Sequence, residues 1–309
     1  MAMAAHADWY HREAAIMGTR IAVELWHEDA SEAERAIEAV LGEMHRVDAL
    51  MSHYKPESQL SQINARAALA PVAVDSELAS LIERAGKLSA LTGGAFDITY
   101  ASVGYLYDYR AHQKPTDEQI EAGLGAVNWR HVVVDPKDST VRFTRSGVRI
   151  DLGGIAKGYA VDRAIAILES RGVRHASVTA GGDSRIIGDR FGRPWIIGIR
   201  HPDDADKVIA RIPMIDAAIS TSGDYERYFD EDGKRFHHII DPHTGKSAGE
   251  LRSVTIIGPD ATTTDGLSTS VFVMGPERGI ELIERLGDVD AVVVKSDGKV
   301  LYSSGLAPP

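Results

Sequence analysis

The stretch Val148-Arg149-Ile150-Asp151-Leu152-Gly153-Gly154-Ile155-Ala156-Lys157-Gly158-Tyr159-Ala160-Val161-Asp162 governs the reading of this chain. Val148 to Ile150 reads as an apolar strand end that runs into a carboxylate. Two glycines, a lysine and a third glycine follow, and a helical pattern begins. Glycine lets the backbone approach an anion closely. A helix start offers N–H groups and a positive dipole end, and Lys157 adds a point charge. The layout suits a phosphate, and it equally suits a tight strand-to-helix turn with a surface lysine. Neither a Rossmann dinucleotide site nor a P-loop is supported. The glycines at 153, 154 and 158 do not make G-x-G-x-x-G, and Tyr159 stands where a Walker A lysine would follow the last glycine.

Outward from this turn, strands outnumber helices and pair locally. Met17 to Trp26 alternates like a strand, and Ser31 with Glu34 spells a capping box for a helix with Ile37, Val40, Met44, Val47 and Met51 on one face. Helices are expected over Ser76–Leu91, after the Thr116/Gln119 cap, from the glycine turn to Arg171, over 262–274 and over Pro276–Leu286. Hairpins are expected at 131–143, around Asp232-Gly233 and around Asp297-Gly298, with further strands near 174–180, 184–188, 194–200, 207–214 and 253–257. Ala95–Thr99 reads as a short buried loop or strand. The class is therefore α+β, with mixed, largely antiparallel sheets and flanking helices, rather than a doubly wound parallel fold. If two lobes exist, the Gly/Pro-rich stretch 181–194 is the expected seam.

The 309 residues carry a net charge of −11 and no basic run, which argues against a nucleic-acid partner. An acidic chain that binds an anion needs local compensation from a metal ion, lysines or helix ends. The absence of cysteine removes disulfides, thiol nucleophiles and thiolate metal sites. No apolar run approaches a transmembrane length of about 18 residues.

Four further segments offer chemistry. In Thr262-Thr263-Thr264-Asp265-Gly266-Leu267-Ser268-Thr269, a helix places Asp265 and Thr269 one turn apart. Their oxygens suit Mg²⁺ or Ca²⁺ and suit zinc poorly; they equally suit helix caps. In Phe236-His237-His238-Ile239-Ile240-Asp241-Pro242-His243-Thr244-Gly245, the histidines do not repeat on one face. His238 is presented at a strand end as a candidate general base or as a buried histidine bonded to backbone, while His237 and His243 read as surface residues. Ile219–Arg227 and Ala180–Asp183 carry hydroxyls and glycines that fit phosphate, ribose or a plain turn. Tyr54, in a polar loop, is placed to stack on an aromatic ring.

Together these blocks resemble one family. M-G-T at 17–19, S-x-Y at 52–54, S-x-L-S-x-I-N at 58–64, G-A-F-D at 94–97, D-L-G-G-I-A-K-G-Y-A-V-D at 151–162, G-G-D at 181–183, S-T-S-G-D-Y at 220–225, H-I-I-D-P-x-T-G at 238–245 and D-G-L-S-T at 265–269 appear in the order of the ApbE family, the FAD:protein FMN transferases. The resemblance spans about Met17 to Gly275. It implies a T-fold-related, ApbE-like single domain over 17–309 behind an N-terminal extension, 1–16. It also implies FAD as substrate with Mg²⁺, and transfer of FMN to a Thr or Ser of an acceptor protein with release of AMP. Carried over by motif, Met17, Tyr54, Ala95, Phe96, Asp97, Asp151, Lys157 and Ile240 line the FAD site. Gly154 through its carbonyl, and Asp265 and Thr269 through their side chains, hold the metal, and His238 sits near the reacting phosphate. Ser268 stands where the family block often has a second acidic residue and joins the metal set. The expected acceptor is a flavoprotein subunit of a membrane redox complex. The expected compartment is the periplasm, reached with a leader absent from this chain; a cytoplasmic setting is the alternative. Competing readings are an FAD pyrophosphatase yielding FMN and AMP, a non-catalytic FAD-binding protein, and a divalent-metal histidine site without flavin.

Overall fold

The computed structural model describes residues 8–204 and 206–306. The chain opens with a hairpin of β1 (Asp8–Ile16) and β2 (Thr19–His27). Next come α1 (Ala30–Met51), α2 (Gln59–Arg66), the short strand β3 (Val72–Ala73), α3 (Ser76–Leu91), α4 (Ala101–Gly104) and α5 (Asp117–Leu124). A hairpin, β4 (Val132–Asp135) with β5 (Thr140–Phe143), leads to α6 (Ala156–Ser170). Strands then run through β6 (Ala176–Ala180), β7 (Asp183–Ile187), β8 (Trp195–Arg200), β9 (Val208–Met214) and β10 (Ala218–Gly223). They continue through β11 (Tyr228–Glu231), β12 (Lys234–His237), β13 (Ile240–Asp241), β14 (Lys246–Ser247) and β15 (Leu251–Gly258). The helices α7 (Ala261–Met274) and α8 (Pro276–Leu286) and the strands β16 (Asp290–Lys295) and β17 (Val300–Tyr302) close the chain.

Two compact units divide these elements: Met1–Asp48, Ile155–Thr221 and Thr255–Asp265 form one, and Ala49–Gly154, Ser222–Val254 and Gly266–Pro309 the other. The stretch 181–194 lies inside the first unit.

The first unit is built on a large antiparallel sheet. Its order runs β1-β2-β6-β7-β10, and the β1·β2, β2·β6, β6·β7 and β7·β10 pairs are all antiparallel. Period-two alternation explains its buried face. Ile21, Val23 and Leu25 pair with Ala180, Val178 and Ala176, and all six are fully buried. On α6, Ala160, Val161, Ala164, Ile165 and Leu168 are also fully buried, and the helix packs on β6 and β7. β1 occupies much of the segment expected to be an extension. The helix α1 is capped two residues earlier than expected: the Asp29 carboxylate accepts from the Ser31 and Glu32 N–H groups (2.7 and 3.0 Å).

In the second unit, α3 and α5 match the sequence expectation, and the Thr116/Gln119 capping box is present. α2, capped by Ser58, was not anticipated. Val148–Ile150, expected as a strand end, is no strand. The Asn64 side chain takes the place of a neighbouring strand: it accepts from the Ile150 N–H (2.8 Å) and donates to the Ile150 carbonyl (2.9 Å). Ala95–Thr99 is buried but turns into a 3₁₀ helix, Ile98–Tyr100, instead of a strand.

Candidate active site

In the first unit, tight backbone approaches bring three motif blocks together. Met17 and Gly18 form the β1–β2 turn with positive φ (56° and 69°), an uncommon conformation for a methionine. Gly181, also at positive φ, packs so close beneath this turn that a Cβ there would lie 2.6 Å from Thr19 Oγ1. A Cβ on Gly182 would lie 2.6 Å from the Thr221 carbonyl oxygen.

A charged cluster joins the next blocks. Lys157 Nζ donates to Asp183 Oδ2 (2.6 Å) and, more distantly, to Asp265 Oδ1 (3.3 Å). Asp183 and Asp265 are both buried. Burial alone would lower the pKa of the ammonium, but the two carboxylates reverse that and raise it. Burial, then the charge of Asp183, raises the Asp265 pKa against the pull of Lys157. One ammonium faces two carboxylates, so the cluster carries excess negative charge when both are ionised. Lys157 therefore does not stand as an uncommitted phosphate ligand.

The helix start was expected to offer open N–H groups. Instead the Gly158 N–H donates to Asp265 Oδ2 (3.0 Å). Gly158 also serves packing, because a Cβ there would meet the Ala261 carbonyl oxygen at 2.1 Å. The last residue of the motif, Asp162, caps α7 from outside it. Its carboxylate accepts from the Ala261 and Thr262 N–H groups (2.9 and 2.8 Å) and from Arg185 (2.8 Å).

In the second unit, neutral oxygens and a ring gather around Gly154. A Cβ on Gly154 would meet Phe96 Cε2 and Thr269 Oγ1, each at 3.3 Å. A Cβ on Gly266 would lie 3.9 Å from the Gly154 carbonyl oxygen, so that oxygen faces α7. Ser222 Oγ shares hydrogen bonds with Ser268 Oγ (2.8 Å) and Thr269 Oγ1 (3.3 Å). Asp265 precedes Thr269 by one turn on α7. The donors are hard oxygens, which fits a magnesium ion. Among the described residues, no three His, Asp or Glu side chains gather as a metal cluster, so the three histidines form no zinc centre.

Several sequence-selected residues have roles within the protein itself. Asp97 accepts from the Thr99 N–H and hydroxyl (2.8 and 2.6 Å) and the Trp129 N–H (2.8 Å). Burial raises its pKa against these bonds. Ile240 is buried with Val103, Tyr107 and Ile120. Ala95 and Phe96 are buried, and Tyr54 is exposed. A cavity of about 260 Å³ beside Ala95 is lined by Asp241, His243, Val273, Met274 and Arg278.

His238 follows β12, half-buried, its N–H bonded to the Arg227 carbonyl (3.1 Å). His243 is exposed, as expected. His237 is not a surface residue: it is buried, its Nε2 bonds to the Ala248 carbonyl (2.6 Å), and its Nδ1 accepts from the Ile239 N–H (3.3 Å). Strand alternation turned it inward. His53 escaped the sequence reading altogether. Its Nδ1 lies 2.5 Å from Asp151 Oδ2. Its place beside Tyr54 in S-H-Y was the only available signal.

The sequence profile of the ApbE family matches residues 17–293. The chain belongs to the ApbE family. It is similar to the FAD:protein FMN transferase of Klebsiella pneumoniae strain 342, with 32% identity over 299 residues, covering 96% of this chain and 92% of the relative. The FAD:protein FMN transferase of Vibrio cholerae is 33% identical over 315 residues, covering 98% and 93%. Among solved structures, the ApbE protein of Thermotoga maritima superposes with a TM-score of 0.89 at 38% identity, covering 96% of this chain and 98% of that one. The flavin transferase ApbE of Vibrio cholerae superposes with a TM-score of 0.86 at 32% identity, with the same coverage.

Proposed function

We propose that this ApbE-family chain is an Mg²⁺-dependent FAD:protein FMN transferase that links FMN to a Thr or Ser hydroxyl of an acceptor protein and releases AMP. Near-full-length similarity to relatives of that name supports the transferase reading. The observation that carries the metal-dependent reading is the contact of Gly154 with Thr269, one turn after Asp265 on α7. Gly154 and Thr269 would give the cation a carbonyl and a hydroxyl, with Ser268 adjoining, and the family resemblance adds the Asp265 carboxylate.

When bound, Mg²⁺ would supply charge neutralisation for the diphosphate and for the departing AMP. The chain's own residues position the substrate and move one proton. The acceptor oxygen forms a bond to the FMN phosphorus, and the bond from that phosphorus to the AMP oxygen breaks. His238 takes the proton of the attacking hydroxyl. The Lys157 ammonium, held between Asp183 and Asp265, keeps those carboxylates from repelling the substrate's phosphates at full strength.

His238→Ala tests the assignment. FAD binding is expected to persist, while transfer falls by about 10²–10⁴-fold, read as AMP release and as a covalent mass increase on an acceptor peptide. Equal loss of binding and transfer removes His238 from the role. AMP release without an acceptor identifies a pyrophosphatase, and binding without AMP release identifies a carrier. The acceptor in a membrane redox complex and the periplasmic setting belong to this proposal and rest on the family resemblance alone. No helix among the described residues is long and apolar enough to cross a membrane.

A further inference from the structure

A column of stacked groups in the second unit ends in an open ring. The Arg149 guanidinium lies over Tyr105 at 5.4 Å. Tyr105 lies 5.0 Å from His53, and His53 lies 3.8 Å from Tyr54, with rings tilted by 34° and 40°. Tyr54 is 73% exposed. An exposed tyrosine on a polar loop ordinarily samples several rotamers. Here an imidazole covers one side of it, and that imidazole is itself fixed: Asp151 Oδ2 holds His53 Nδ1 at 2.5 Å. The other Asp151 oxygen accepts from the Gly153 N–H (2.7 Å) and the Tyr100 hydroxyl (3.2 Å), which prevents the carboxylate from turning. Asp151 is buried, and both of its oxygens are engaged by protein. Family resemblance sets Asp151 against the ligand; its carboxylate also fixes His53.

We infer that His53 is a positioning residue for a flat heteroaromatic ring of the substrate. Asp151 orients His53, His53 orients Tyr54, and the open side of Tyr54 takes the ring as the next layer of the column. This inference rests on the flavin reading above and deepens it. The isoalloxazine and the adenine of FAD share the required chemistry, a planar π system, and FMN and AMP serve as separate probes for them.

The test titrates the full chain, in Mg²⁺, with FAD, FMN and AMP. The variants are His53→Ala, His53→Phe, Asp151→Asn and the double variant His53→Phe/Asp151→Asn. His53→Ala is expected to weaken FAD about tenfold, within the range of base–aromatic stacking. It should weaken one fragment, FMN or AMP, by a similar factor and leave the other unchanged. His53→Phe keeps a ring in the column and should restore most of the affinity, which general damage to the fold would not allow. Asp151→Asn should weaken FAD in the wild-type background and cost nothing further in the His53→Phe background. Two results overturn the inference: unchanged FAD affinity in His53→Ala, or an equal Asp151→Asn penalty in both backgrounds. A wild-type chain that binds none of the three probes overturns the flavin reading instead.

Discussion

Two clusters of motif residues, one in each unit, are held by different physics. In the first, the blocks meet through charge: Lys157 between Asp183 and Asp265, and Asp162 between Arg185 and the N–H groups of α7. The second unit has buried carboxylates too, Asp151 on His53 and Asp224 on Arg252, but its α7 block is joined to Ser222 through the Ser268 and Thr269 hydroxyls. A buried charge cluster is all-or-none, because removing one partner strands the others in a poor solvent for ions. A hydroxyl cluster degrades by small steps, since each bond contributes only about 1 kcal/mol net. Substitutions in the Lys157 cluster should therefore threaten the fold, and those in the Ser222–Ser268–Thr269 cluster should separate function from folding.

The largest expected effect comes from Lys157→Met. It leaves the Asp183 and Asp265 carboxylates buried without their cation, and breaking such an arrangement costs about 3–5 kcal/mol. Urea unfolding followed by tryptophan fluorescence reads the loss, since Trp9, Trp26 and Trp195 lie in the first unit. The double variant Lys157→Met/Asp265→Asn should recover part of it. A single variant as stable as wild type would end the contrast between the two clusters.

An intermediate effect is expected from His237. Burial holds its pKa below the ordinary value of 6.5, and the bond to Ala248 suits the neutral ring with its proton on Nε2. As pH falls through 6.5, the unfolded chain gains a proton that the folded chain refuses. Stability therefore drops on the acid side of 6.5, with a slope of up to about 1.4 kcal/mol per pH unit, until the folded imidazole also protonates. Comparing urea midpoints of wild type and His237→Gln across pH 5–7.5 isolates this slope. Parallel curves would mean that the imidazole titrates alike in the folded and unfolded chains.

Local chemistry decided what the sequence could disclose. The limits of α3 and α8 agree with the reading because Pro276 opens α8, Gly287 stops it in the left-handed region, and Gly93 follows α3 at positive φ. The Asp297-Gly298 hairpin agrees for the same reason, and its arms pair Val292 with Tyr302. β1 escaped because it is an edge strand whose alternation is mostly half-buried against exposed, with only Ile16 buried. β10 escaped because its polar residues are satisfied out of sight: buried Ser220 bonds Thr264 (2.8 Å), and Thr221 bonds Thr255 (2.8 Å). Motif order named the candidate residues but not their partners. Asn64 serving Ile150 and Asp162 capping α7 join residues far apart in the chain, and no periodicity records such bonds. The same limit hid His53, whose function depends on a carboxylate nearly a hundred positions away.

The smallest structural effect should carry the sharpest functional one. Thr269→Val keeps the shape of the side chain and removes its hydroxyl. The hydroxyl's bond to Ser222 is long, at 3.3 Å, so the stability loss should stay near 1 kcal/mol. If Thr269 helps hold Mg²⁺, the Mg²⁺ concentration giving half-maximal AMP release should rise at least about tenfold, as losing one oxygen from a sparse ligand set implies. A stable variant with unchanged Mg²⁺ dependence would show that the hydroxyl cluster is only packing. The division between a charged cluster that secures the fold and a hydroxyl cluster that tunes the reaction would then fail at its most direct point.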